Sequence, residues 1–204
     1  MSDLNQEYYF AFRPDDDAYP ILRADEQANL RKYQYSKLNF GAPLTFSNGF
    51  RDEVIDQGIT EVIEGILNDA PFYLVNTTLR DELDRFPTRG MQLYPAIYID
   101  NTGHWHEEYW FTNFYEPMDV LDWDQSDFEL IDGEGISEDD YVFDRIVLDS
   151  KKLSDIPERE RMLVHVAKLG DVIIHQKIVD FVQQHNIGGV NFFKVSDFVD
   201  GDQY

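Results

Sequence analysis

Tyr109-Trp110-Phe111-Thr112-Asn113-Phe114-Tyr115 runs without a break into Glu116-Pro117-Met118-Asp119-Val120-Leu121-Asp122-Trp123-Asp124-Gln125-Ser126. The aromatic half suits a pleated, half-buried strand, whereas the aspartates that follow cannot all be buried unpaired. The chain therefore leaves a sheet core at this point and presents acid to solvent or to a partner. No lysine or arginine occurs between Gly90 and Asp144.

Working outward, residues 92–100 and 105–115 read as two strands joined by Asn101-Thr102-Gly103, a short glycine-containing hairpin connection. Before them, residues 70–75 form an apolar strand, Asn76 is a helix N-cap, and a helix is expected over 77–85. Leu79, Leu83 and Phe86 supply its apolar stripe, and Pro87 and Gly90 stop it. Nearer the N-terminus, Tyr8-Tyr9-Phe10-Ala11-Phe12 reads as a strand closed by Arg13-Pro14-Asp15-Asp16-Asp17. A marginal helix is expected over 24–35, and the glycine, proline and asparagine of 40–50 read as a connector.

Beyond the acidic stretch, residues 141–148 carry apolar side chains on both parities, which predicts an interior strand. Strands are expected at 162–167, 172–174 and 190–195. A helix over 175–184 brings Ile178, Phe181 and Val182 inward. Residues 72–83 and 172–182 share the order strand, polar cap, helix. Hairpins mixed with a few short helices predict an α+β domain, with a mixed, largely antiparallel sheet, over the whole of 1–204.

The chain has 204 residues with 17 basic and 40 acidic side chains, a formal charge of −23, and 43% hydrophobic content. Such a chain can build a core, but nucleic acid and anionic lipid would repel it, so a basic protein partner is expected. Acidity for solubility alone is the simpler reading of the charge. There is no cysteine, hence no disulfide, thiolate zinc site or cysteine nucleophile. The first residues lack a signal-peptide pattern and no run of about 18 apolar residues occurs, which predicts a soluble, cytoplasmic protein with no membrane span.

The aromatic-x-Asn centre at Phe111 and Asn113, followed by Asp119, Asp122, Asp124 and Ser126, resembles a bacterial immunity-protein family found in polymorphic toxin loci. Its members were long labelled a domain of unknown function. Later features match as well: Val147-Leu148-Asp149, the expected strand and helix from Ile173 to Val182, and the closing Gly189-Val190-Asn191-Phe192. The likeness runs over about 72–193, within a family-like part at 70–195, and 1–50 reads as a variable N-terminal part. The resemblance implies a protein that binds and neutralises a cognate toxin and carries no catalytic residues; no cofactor or metal is expected.

Twelve carboxylates and no base lie between Glu116 and Asp144. Their functional reading is a face for a cationic toxin, built from Asp119, Asp122, Trp123, Asp124, Asp127, Glu129, Asp132 and Glu134. The competing reading is a solvated loop. Trp123 is either an interface anchor or a core side chain packed under that loop. A separate hypothesis, a metal-dependent hydrolase, rests on His104 and His106. Two apart on a strand, they share a face and could ligate one metal with a carboxylate from the neighbouring strand or Glu108, although a third ligand in reach and an open position are needed. His165 and His175 flank apolar strands and read as structural; His185 lies near a helix end.

Overall fold

The aromatic strand is the hub of the computed structural model, which describes residues 4–24, 36–39, 41–69, 72–130 and 141–198. It becomes β7 (Trp105–Phe114) and lies between β6 (Met91–Ile99) and β5 (Phe72–Asn76) in a six-stranded sheet. The order in that sheet is β2 (Leu22–Ala24), β3 (Leu44–Asn48), β6, β7, β5 and β4 (Ile66–Asp69). Only the β3–β6 pair is parallel. Two further strands, β8 (Asp127–Leu130) and β9 (Tyr141–Arg145), pair as a separate antiparallel ribbon. The last three are β10 (Leu163–His165), β11 (Val172–His175) and β12 (Asn191–Lys194). They join β1 (Tyr8–Phe12) in a four-stranded antiparallel sheet of order β10-β11-β1-β12. With four short helices among the described residues, this is an α+β fold.

Two strands lead directly into helices, as the shared strand-cap-helix order predicts. After β5, the Asn76 side chain accepts the Leu79 N–H at 3.0 Å and opens α2 (Thr77–Leu83); α1 (Arg51–Asp56) precedes it. Asp149 caps α3 (Ser150–Ser154), and after β11 His175 caps α4 (Gln176–Gln184), accepting the Lys177 N–H at 3.1 Å through Nδ1. Leu79 and Leu83 of α2 meet Ile178, Val179 and Val182 of α4 in one apolar cluster with Tyr73 and Val75 of β5 and Ile174 of β11. That cluster joins the two larger sheets through the burial of apolar surface. The opposite face of the six-stranded sheet covers a second core around Phe46, Leu74, Tyr98, Tyr109 and Phe111. A third core, around Phe10, Leu121, Phe143, Leu148 and Ile173, lies beneath the ribbon.

Several expectations are corrected. Residues 44–48 form β3, a strand rather than part of a connector. Leu44, Phe46 and Asn48 alternate inward, and pairing on both sides outweighs the flanking glycine and proline. The stretch 141–148 is not an interior strand: β9 ends at Arg145 and pairs with β8 alone, leaving Val142 exposed. Ile146 and Leu148 are buried as irregular chain instead, which explains their apolarity without a second sheet face. The β6–β7 connection is longer than three residues, because Asp100 and His104 belong to the turn; the Asp100 N–H donates to the His104 carbonyl at 3.0 Å. The helix expected over 24–35 lies outside the described residues apart from Ala24, which ends β2.

Candidate partner-binding surface

The acidic segment leaves β7 through Tyr115, whose N–H donates to the Gly90 carbonyl. Val120 and Leu121 plunge into the third core, and Leu121 bridges to Leu148. The Asp122 N–H donates to the Val147 carbonyl and the Asp149 N–H to the Val120 carbonyl, so 118–122 and 147–149 are fastened as a short antiparallel contact. The Asp122 carboxylate then folds the chain over. It accepts the N–H groups of Asp124 at 3.2 Å and Gln125 at 3.1 Å, which satisfies a tight turn from within. Ser126 closes that turn, its Oγ accepting the Val147 N–H at 3.0 Å.

Three of the segment's carboxylates are answered by bases outside it. Asp119 accepts from Trp123 Nε1 at 3.2 Å and from Lys152 Nζ at 3.0 Å. Lys152 is presented by α3, whose N-cap is the motif residue Asp149. Arg145 meets Asp127 at 2.9 Å, and Arg89 meets Glu116 at 2.7 Å. All of these pairs are solvent-exposed, where such contacts contribute about 0–1 kcal/mol each. Their larger consequence is that Asp119, Asp122 and Asp127 already hold internal partners, while Asp124, Glu129 and Asp144 point to solvent. Asp132 and Glu134 lie outside the described residues.

Trp123 is half-buried beneath the ribbon. Its ring lies 5.1 Å from Phe128, 5.3 Å from Tyr141 and 6.0 Å from Phe143, in edge-on and tilted contacts of the kind aromatic quadrupoles favour. A two-stranded ribbon is marginal alone, and this cluster fixes β8 and β9 to the body.

His104 and His106 do come together, with ring centroids 4.7 Å apart. His106 Nε2, however, is engaged by the Asp100 carboxylate at 3.0 Å, and its Nδ1 lies 3.7 Å from Glu108. Burial pushes the Asp100 carboxyl up, but hydrogen bonds from the Thr102 hydroxyl, His106 and the N–H groups of His104 and Thr102 outweigh it and hold Asp100 well below the usual carboxylate range. The group works as a turn lock. Among the described residues no three or more histidine, aspartate or glutamate side chains are placed to hold a metal ion.

Sequence reading missed a polar cluster at the four-stranded sheet. The Arg161 guanidinium donates to the Tyr8 hydroxyl at 2.6 Å, and Tyr8 donates to the Arg161 carbonyl at 3.1 Å. His175 Nε2 faces Glu7 at 3.5 Å and Glu158 at 4.0 Å, and Lys177 pairs with Glu158. Burial pushes the Tyr8 phenol up to about 12 against the lowering effect of Arg161. The Lys177 hydrogen bond holds Glu158 below its ordinary value. The Tyr8–Arg161 pair alone spans 153 positions, so no local signal announces the cluster. Each is committed to a neighbour, which makes the cluster a latch between β1, β11 and the 158–161 turn.

No described helix is long and apolar enough to cross a membrane. Residues 19–197 match the model of an immunity protein family, Imm11. The match extends beyond 72–193, where the motif likeness lies, in both directions. No curated protein matches the chain.

Proposed function

The chain belongs to the immunity protein family Imm11, and we propose that it binds one cognate bacterial toxin stoichiometrically and neutralises it in the cytoplasm of the producing cell. Family membership carries this reading. The charge of −23 favours a basic toxin and a fast, electrostatically steered encounter. The surface proposed for that encounter is the acidic face of Asp119, Asp122, Trp123, Asp124, Asp127, Glu129, Asp132 and Glu134. Exposed Asp124 and Glu129 act directly, whereas Asp122 and Trp123 hold the turn and the ribbon in place beneath them. Inhibition is by contact: the protein covers or distorts the toxin's active cleft and performs no chemistry.

The test is co-expression with the toxin encoded beside the gene. Capture of a one-to-one complex and restored growth are expected. Normal toxicity in the presence of well-folded protein would refute the reading. In the same assay His104→Ala/His106→Ala should protect as well as the wild type, because neither imidazole has a catalytic part.

A further inference from the structure

The exposed large hydrophobic side chains among the described residues are Phe50, Ile55, Trp105, Leu130 and Val142. Phe50 and Ile55 follow the end of β3 and Trp105 opens β7, so all three stand at the same end of the six-stranded sheet. There β3, β6 and β7 lie side by side, with Ser47 opposite Ile99 and Ile99 opposite Trp105. The chain leaves β3 through Asn48, whose side chain accepts the Phe50 N–H at 3.0 Å, and enters α1. Arg51, at the start of α1, donates to the Asn101 carbonyl in the β6–β7 turn at 3.0 Å. That hydrogen bond ties helix and turn together along this edge, where Phe50, Ile55 and Trp105 are 51%, 49% and 56% exposed.

Acidic residues flank these positions in the chain. Asp52, Glu53, Asp56 and Glu107 are exposed, and none has an ion-pair partner among the described residues. Beside Phe50 runs a groove of about 220 Å³ lined by Tyr19, Ile21 and Val54, with the acidic residues Asp17 and Glu53 also in its lining. Arg13 lines it too, but its guanidinium donates to the Asp16 and Tyr19 carbonyls. A lining of this composition suits a lysine or arginine side chain, whose stem packs on hydrocarbon while its head meets the acid.

We propose that this rim of α1 and the β6–β7 turn is a docking surface for the cognate toxin, with Phe50, Ile55 and Trp105 as apolar anchors and the groove as the seat of a basic toxin side chain. The proposal rests on the immunity reading above. Tryptophan and other large side chains carry much of the energy of protein interfaces, and exposed apolar groups clustered within a polar border mark such sites. A second copy of this chain is a poor occupant, because two molecules of charge −23 would bring carboxylates against carboxylates.

The test uses the full chain and the toxin encoded beside its gene. In the complex, amide exchange should slow over residues 50–57 and 100–107. Phe50→Asp/Trp105→Asp and Glu53→Lys should each retain the wild-type melting profile and weaken binding by about 100-fold, with loss of protection in the growth assay. Binding and protection within about threefold of wild type, or an exchange footprint wholly elsewhere, would overturn the proposal and leave the immunity reading intact. Should Phe50→Asp/Trp105→Asp fail to fold, the wild-type footprint still decides. If wild-type protein neither binds the toxin nor protects, both fall together. Dimerisation of the free protein through this rim, detected by light scattering and abolished by the same variants, would also overturn it.

Discussion

Gly189 shows how much one residue can hold in this fold. Its φ is +104°, and a Cβ there would lie 1.9 Å from the Ile66 carbonyl oxygen. The neighbouring Gly188 carbonyl accepts the Ile66 N–H at 3.0 Å, so the turn before β12 is pressed against β4. Gly189→Ala should therefore cost at least about 3 kcal/mol, from both backbone strain and the forced separation. A thermal melt should show a fall of roughly 6–12 °C, and an unchanged midpoint would refute this close approach. Burial also sets the response to acid. It holds the His165 imidazole down at about 4, and holds His175 below its ordinary value against the opposing pull of Glu158. The unfolded chain binds these protons near pH 6.5, so it takes them up first, and stability is lost as pH falls from about 6.5 towards 4. Asp171, pushed up to about 6 by burial, acts in the opposite sense, since its folded form is protonated first. Its contribution is present below about pH 3.9 and lost as pH rises through 6. Melting midpoints measured between pH 7 and 4 should fall, less steeply in His165→Asn and more steeply in Asp171→Asn. A fall as steep in His165→Asn as in the wild type would contradict the burial of that histidine.

At the scale of elements, the ribbon is held chiefly by aromatic contacts beneath it. Trp123→Ala should remove contacts to Phe128, Tyr141 and Phe143 at a cost of about 2–4 kcal/mol, with amide exchange accelerating first in β8 and β9. Retained protection in the ribbon would show that its strands are held otherwise. Elements with a local code were legible in the sequence. The Asn76 cap and the Leu79–Leu83 spacing announce α2, and alternation announces β6 and β7. β3 was hidden because its Leu44-Thr45-Phe46 pattern is short and bordered by turn residues, and its strand character comes from neighbours that are distant in the chain. The reading of 141–148 failed for a related reason: apolar residues on both parities fit a strand buried on two faces, or a short strand followed by buried irregular chain.

For the whole molecule, a charge of −23 opposes the compact state through self-repulsion, so added salt should raise the melting temperature while slowing association with a basic partner. An association rate indifferent to ionic strength would remove electrostatic steering from the proposed function. The sequence by itself determined the acidity, the α+β class, the hub strand and the family likeness, because these follow from composition, local periodicity and motif order. Only the tertiary structure decided which carboxylates are answered and which are free. Lys152, Arg145 and Arg89 reach Asp119, Asp127 and Glu116 through folding, and separation in sequence carries no record of such distances. It also decided that Trp123 lies beneath the ribbon while Phe50, Ile55 and Trp105 face solvent. Side chains of one chemical type are sorted into core and surface by the packing of the sheets around them, and that packing exists only once distant strands have met.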